Sequence, residues 1–335
     1  MHDQIIYYGA PGTGKSYAVA QYLEKNNIPK ERIFRVTIYP EFTYSDFIGQ
    51  LLPEEDSVTK KLRFNFEPGQ FTKALKKAFE DNSKEVFLIL EEISRGNITS
   101  IFGDVFQLLD RNDQFESAFP IKNKEIASQI PQLPNNETVF LPSNFNIICT
   151  MNTNDQSVYP MDTAFKRRFD WHYVSTLPAK NANGTVDDNL NNPLLIIRSK
   201  KNGGTSDFKM SWLAFYTGLN AFITNKTLGL GMKEDKQLGQ FFLKFKSSLV
   251  FASRSNDPKI ANPAFQIIDE IIQNKLLVYL WQDIQPESSF VTGKTLFSNS
   301  ISDFETLFSS YCNSEQIFSD EFIDGFLKPR ENLYK

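Results

Sequence analysis

The chain reads as an α/β protein built on a doubly wound parallel sheet. Three observations predict this fold class. The glycine-rich turn Gly9-Ala10-Pro11-Gly12-Thr13-Gly14-Lys15-Ser16 directly follows the apolar stretch Ile5-Ile6-Tyr7-Tyr8. Val86-Phe87-Leu88-Ile89-Leu90 is an unbroken apolar run, the pattern of a strand covered on both faces. Such runs alternate with segments of helical period, as crossover-connected parallel strands require.

Taken in order, Ile5–Tyr8 is the first strand and the segment from Tyr17 to Lys25 the helix after the turn. Ile33–Ile38 reads as a second strand, and Phe71–Glu80 as a helix with Ala74, Leu75 and Ala78 on one side. Val86–Leu90 is the third strand and ends in Glu91-Glu92. Ile98–Leu109 places Ile98, Ile101, Phe102, Val105, Leu108 and Leu109 at helical spacing, which predicts one continuous helix. Phe145–Cys149 is a fourth strand, ending at Thr150-Met151-Asn152, and Trp171–Val174 a fifth, preceded by Arg167-Arg168-Phe169. In doubly wound sheets ligands gather at the carboxyl ends of the strands, where the motifs at Gly9, Glu91 and Asn152 all stand.

The turn matches G-x-x-x-x-G-K-[ST] and sits between a strand and a helix, the context that gives this pattern its meaning. Glycine lets the backbone wrap an anion without Cβ clashes, and successive N–H groups then point inward at a helix N-terminus. The expected nucleotide-binding set is Gly9, Ala10, Pro11, Gly12, Thr13, Gly14, Lys15, Ser16 and Tyr17. Lys15 is expected to bridge the β and γ phosphates, and Ser16 to hold Mg²⁺ through its hydroxyl. Beside such a loop a carboxylate pair has a defined use: Glu91 suits the metal's water shell, Glu92 the attacking water. Asn152 is placed to hydrogen-bond the γ-phosphate or that water.

Of 335 residues, 41% are hydrophobic, enough for a core and for about two domains on the usual size prior. Most of the 31 phenylalanines are assigned to packing. The net charge of −4 argues against a broad face for duplex DNA, although a local basic pore loop stays possible. Cys149 and Cys312 form no disulfide framework, and His2 and His172 have neither the spacing nor the companions of a metal site. No apolar run reaches membrane-span length and the start lacks a secretion signal, so the expected setting is the cytoplasm, without a membrane.

Two stretches bring a family into view. Leu88-Ile89-Leu90-Glu91-Glu92-Ile93-Ser94-Arg95-Gly96-Asn97-Ile98, followed by Thr150-Met151-Asn152-Thr153-Asn154-Asp155-Gln156-Ser157, resembles the McrB branch of the AAA+ superfamily, whose signature has the form MNTxDxS. Phe42–Ile48 and Met161–Phe169 are also similar, and Asp235–Gly239 with Leu276–Trp281 resembles the family's helical lid more weakly. The resemblance implies an AAA+ P-loop sheet followed by a smaller α-helical lid. It also implies a ring, usually a hexamer, that hydrolyses nucleotide at subunit interfaces, stimulated by the McrC nuclease subunit in restriction of modified DNA. GTP is favoured only by this analogy; ATP remains open. By position, Arg167 and Arg168 are the arginine fingers, Asp155 the signature acid, Ser94 a group near the attacking water and Arg95 an interface arginine. Three departures stand out: Glu91 for the usual aspartate, Ser94 for the usual asparagine, and Gln156 for the signature arginine. Slow intrinsic turnover that needs a partner is therefore expected.

The expected layout is a nucleotide-binding domain over 1–178, a polar loop or insertion over 179–210, a helical lid over 211–285 and an extension of unassigned role over 286–335. Lys236, beside Asp235, reads as a solvated lysine in preference to a phosphate contact. The first strand begins almost at Met1, so DNA recognition is expected from a separate polypeptide or from a domain missing from this sequence. Two other classes stay open: a MoxR-like remodelling ATPase, which the Met151–Ser157 signature fits poorly, and a small-molecule kinase, which needs an acceptor pocket.

Overall fold

The computed structural model describes residues 3–55, 60–133, 135, 137–153, 159–201, 204–286 and 292–334. It divides into two compact units: Met1–Tyr8 with Lys15–Val174, and Gly9–Gly14 with Ser175–Lys335.

The first unit runs β1 (Gln4–Gly9), α1 (Lys15–Lys25), β2 (Ile33–Thr37), α2 (Tyr44–Ile48), β3 (Gly49–Glu55), β4 (Leu62–Pro68), α3 (Gln70–Glu80), β5 (Val86–Glu91) and α4 (Ile98–Phe102). It continues with β6 (Ile121–Lys122), α5 (Lys124–Ser128), β7 (Thr138–Val139), β8 (Phe145–Asn152), α6 (Thr163–Lys166) and β9 (Asp170–Tyr173). Five strands form the central sheet in the order β2-β5-β8-β1-β9, and the pairs β2–β5, β5–β8 and β1–β9 run parallel.

The apolar run of β5 shows why the sheet must be covered twice. Val86, Leu88 and Leu90 belong to one core with Phe71, Ala74, Leu75 and Ala78 of α3 and with α4. Phe87 and Ile89 belong to another, with Val19 and Leu23 of α1 and Ile148 of β8. Alternate residues of a strand face opposite ways, so each parity needs its own layer of helix. Burying one such side chain stabilises by about 1.5–3 kcal/mol.

The expected helix over Ile98–Leu109 is interrupted. α4 stops at Phe102, Gly103 takes φ +49°, and a tighter helical stretch runs Gly103–Leu109. A Cβ on Gly103 would meet the Tyr44 ring at 2.8 Å, and the Tyr44 hydroxyl donates to Asp104 Oδ1. Apolar period alone misses this break, because the buried positions keep helical spacing across it. The β3–β4 hairpin is absent from the sequence reading; it is mostly exposed, with Leu62 and Phe64 in solvent.

The second unit contains β10 (Leu194–Ile197), β11 (Lys200–Lys201), β12 (Gly204–Thr205), β13 (Phe208–Ser211), α7 (Trp212–Thr224), α8 (Ser247–Ser253) and α9 (Pro258–Ile271). The polar region over 179–210 thus includes an antiparallel pair, β10 with β13. α7 is capped by the Ser211 hydroxyl, which accepts from the Ala214 N–H, and its apolar surface sits in the core. α9 starts at Asp257 and Pro258 and continues as wide-turn helix over Ile272–Leu277 and Leu280–Ile284. The chain beyond Pro286 joins this core: Leu307, Phe318, Phe322, Ile323 and Leu327 pack with Trp212, Phe215 and Phe222. Lys236 is buried, not solvated, and its Nζ donates to the Asp283 carbonyl at 3.2 Å. Among the described residues no helix is long and apolar enough to cross a membrane.

Candidate nucleotide site

The turn from β1 into α1 is built as the motif requires. Gly12 and Gly14 adopt φ of +77° and +92°, conformations that side chains with a Cβ rarely enter. Thr13 Oγ1 donates to the Ala10 carbonyl at 3.0 Å, closing the turn on itself. Lys15 and Ser16 open α1; Lys15 is buried, and Ser16 and Tyr17 are exposed. The Tyr17 hydroxyl accepts from Gln21 Nε2.

Within the first unit, Ser16 Oγ donates to Glu91 Oε2 at 3.0 Å. Glu91 has the strand parity of Phe87 and Ile89, so it emerges on the side of the sheet that α1 covers. Thr150 Oγ1 donates to the same carboxylate oxygen at 2.8 Å and accepts from the Glu92 N–H at 3.2 Å. Arg35 Nη1 meets Glu91 Oε1 at 2.6 Å. Glu92 stands in the left-handed region, φ 57° and ψ 45°, an uncommon place for a residue with a side chain. Its Oε2 accepts from Asn152 Nδ2 at 2.9 Å and lies 3.7 Å from Arg95 Nε. One hydroxyl and one carboxylate, both hard oxygen donors, fit a Mg²⁺ that takes its other ligands from phosphate and water. The described residues contain no cluster of three or more acidic, histidine or cysteine ligands, so a protein cage of that kind is not formed among them.

Ser94 is buried, and its Oγ has no hydrogen-bond partner among the described residues. Asp155 lies outside the described residues. Cys149, at the end of the same apolar strand, is buried; desolvation, with the Glu91 charge beside it, pushes its thiol far up, which makes it inert.

Arg167 and Arg168 separate. Arg167 is exposed and makes no ion pair with a described residue. Arg168 is only 9% exposed, pairs with Asp110 Oδ2 at 2.5 Å, donates to the Ala164 carbonyl at 2.6 Å and lies over the Phe106 ring. The expectation that both arginines reach a neighbouring copy is narrowed accordingly: the Arg168 guanidinium is tied inside its own subunit. The sequence reading missed Arg35 and assigned no task to Thr150. Both follow from register, because Arg35 is opposite Ile89 and Leu90 is opposite Cys149, which sets Thr150 level with Glu91.

The family model for the AAA domain of the dynein-related subfamily matches residues 4–169. The Type II restriction enzyme BsuMI component YdiS of Bacillus subtilis (strain 168) is 33% identical over 343 residues, covering 96% of this chain and 89% of that protein. The Type IV methyl-directed restriction enzyme EcoKMcrB subunit of Escherichia coli (strain K12) is 29% identical over 168 residues, covering 49% of this chain and 34% of that protein. The phosphate loop of this chain, its parallel sheet, the AAA-domain match and near full-length similarity to a restriction component have one reading: the chain belongs to the McrB-type branch of the AAA+ NTPases.

Proposed function

We propose that this chain hydrolyses GTP or ATP at the interfaces of a homo-oligomeric ring, expected to be hexameric, as the motor subunit of a restriction system. Its further partners in this reading are an McrC-like nuclease subunit and, through a separate recognition module, DNA. The observation that supports it best is the continuous linkage of Ser16, Glu91, Thr150, Glu92 and Asn152 across two neighbouring strand ends. A chance acidic strand end has no reason to be wired to the first turn of the helix after a phosphate loop.

In this reading Gly9–Gly14 cradles the phosphates through its N–H groups and Lys15 neutralises them. Ser16 and Glu91 hold Mg²⁺, which supplies charge neutralisation at the transferring phosphate when bound. Glu92 accepts a proton from, or orients, the attacking water; Asn152 fixes the carboxylate that does so. The Ser94 hydroxyl, buried and without a hydrogen-bond partner among the described residues, is placed to donate to the attacking water or the phosphate, since leaving such a group unsatisfied costs about 1–3 kcal/mol. Asp155 is proposed to order the signature loop. Arg167 is the side chain that reaches a neighbouring copy, and Arg168 positions it from the next residue along.

The test is hydrolysis of each nucleotide with simultaneous sizing of the assembly, with and without an McrC-like nuclease subunit. Nucleotide-dependent assembly and partner-stimulated turnover are expected. A chain that stays monomeric with bound nucleotide, or an isolated chain as fast as the partnered one, overturns the ring and the partner dependence respectively.

A further inference from the structure

The phosphate loop carries a feature that its motif does not demand. The pattern requires Gly9 and Gly14; Gly12 occupies an unrestricted position. In the structure a Cβ on Gly12 would lie 2.3 Å from the Phe242 backbone nitrogen, and a Cβ on Gly239 would lie 2.3 Å from Gly12 C and O and from Thr13 N. Two glycines on distant parts of the chain each make room for the backbone of the other's segment, Gly12 for Phe242 and Gly239 for Gly12 and Thr13. Between them run two main-chain hydrogen bonds, Gly239 N–H to the Pro11 carbonyl and Phe241 N–H to the Gly12 carbonyl, both 2.8 Å.

The physical need is plain. A loop that turns its N–H groups toward an anion turns carbonyls of the same peptides away from it, and those carbonyls need donors. Leu238–Phe242 supplies them. That segment is in turn held from several sides. Asn220 of α7 brackets Leu238, its Nδ2 donating to the Leu238 carbonyl at 2.7 Å and its Oδ1 accepting from the Leu238 N–H at 2.8 Å. Trp212 Nε1 and Asn191 Nδ2 both donate to the Gln240 carbonyl at 2.8 Å. The Gln240 side chain donates to the Leu190 carbonyl and accepts from the Ala179 N–H.

We infer that Leu238–Phe242 is a backbone clasp that sets the shape of the phosphate loop, with Gly239 and Asn220 as positioning residues for nucleotide binding. The inference rests on the nucleotide reading above and adds to it the element that shapes the loop. It gives Gly12 a second task, admitting the clasp, beside its positive φ. It also makes Trp212 a reporter, since its indole is bonded to the clasp itself.

The experiment uses the full chain with Trp171→Phe and Trp281→Phe, which leaves Trp212 as the single tryptophan. Binding of Mg-GTP and Mg-ATP is measured by displacement of a fluorescent nucleotide, and Trp212 emission is followed in the same titration. Gly239→Ala, Asn220→Ala and Asn220→Asp are compared with the parent, and near-ultraviolet circular dichroism checks folding. The expected result is a Trp212 change that saturates with binding. Dissociation constants should be raised at least tenfold by Gly239→Ala, less by Asn220→Ala, and more by Asn220→Asp than by Asn220→Ala, because its buried carboxylate keeps the acceptor for the Leu238 N–H but sets an oxygen against the Leu238 carbonyl in place of the donor. Should Gly239→Ala misfold, the graded Asn220 pair carries the test. A parent that binds nucleotide with a silent Trp212, and Asn220 variants that bind as the parent does, overturns the clasp and leaves the nucleotide reading standing. A parent that binds no nucleotide overturns both.

Discussion

The two ends of the central sheet in the first unit treat charge in opposite ways. At the amino ends, charged and polar side chains are anchored to the main chain. Arg111 donates to the carbonyls of Phe115, Leu141, Pro142 and Phe145 and to Gln4 Oε1. Arg32 donates to the carbonyls of Lys77, Asp81, Lys84 and Glu85, and Asn144 to those of Ala78, Asp81 and Lys84. At the carboxyl ends, Ser16, Glu91, Thr150, Glu92 and Asn152 are bonded chiefly to one another's side chains. Main-chain carbonyls cannot leave without undoing the fold, whereas a carboxylate can exchange one side-chain partner for a ligand. The amino end is built to stay still and the carboxyl end to change partners.

Breaking each end should therefore fail differently. At the carboxyl end, Glu92→Gln keeps the size of the side chain and a carbonyl oxygen for Asn152 but removes the base. Hydrolysis should fall about 10²–10⁴-fold with nucleotide still bound, up to about 5 kcal/mol of barrier, while the urea midpoint barely moves. Steady-state hydrolysis beside equilibrium binding checks it, and near-parent turnover removes Glu92 from the chemistry. At the amino end, Arg111→Met should leave several buried carbonyls without donors and reduce stability by about 3 kcal/mol, read from chemical denaturation. Nucleotide affinity of the fraction that folds should be unchanged. An Arg111 variant that is stable yet inactive would reverse the comparison.

A finer cut falls on Thr150, which bonds both acids at once. Thr150→Val keeps the shape and removes both hydrogen bonds. The Mg²⁺ concentration needed for half-maximal hydrolysis should rise about tenfold, or about 1.4 kcal/mol, the range of a hydrogen bond to a charged group. Glu92→Gly should abolish hydrolysis yet raise stability by about 1 kcal/mol, because glycine enters the left-handed region without strain. A loss of stability there would mean that the conformation is set without strain.

The contrast also explains what the sequence disclosed. The sheet and its acids were legible because an unbroken apolar run ending in Glu91-Glu92 has few structural meanings beside a phosphate loop. Thr150 and Arg35 were not, since their tasks depend on which strands lie side by side, and local pattern does not carry strand order. Arg167 and Arg168 are neighbours in sequence, yet one is exposed and the other holds Asp110 with a side chain only 9% exposed; the turn that follows α6 separates them, and only the position of Asp110 decides which turns inward. The clasp on the phosphate loop is invisible for a different reason: it is made of main-chain groups, which every residue has. The folding of the chain beyond Pro286 into the α7 core escaped because its apolar residues come in short groups between polar ones.

The smallest expected effect lies in the turn that Arg32 and Asn144 grip at the amino end. Asp81 Oδ1 accepts from the Ser83 hydroxyl and N–H, and Lys84 stands 3.0 Å from Oδ2. These hydrogen bonds, first that from Ser83, hold the carboxyl down to about 2 from its usual 3.8. A carboxylate whose pKa is lower in the folded than in the unfolded chain favours folding above the unfolded value, and that contribution is lost as pH falls from about 4 toward 2. Asp81→Asn removes it. The melting temperatures of parent and variant should therefore differ slightly at pH 6 and converge by pH 2, and solvent screening keeps the gap small. Should the gap stay constant across that range, the Asp81 turn owes its stability to geometry and not to its charge, and the amino end is held there by the hydrogen bonds that Arg32 and Asn144 give to the main chain.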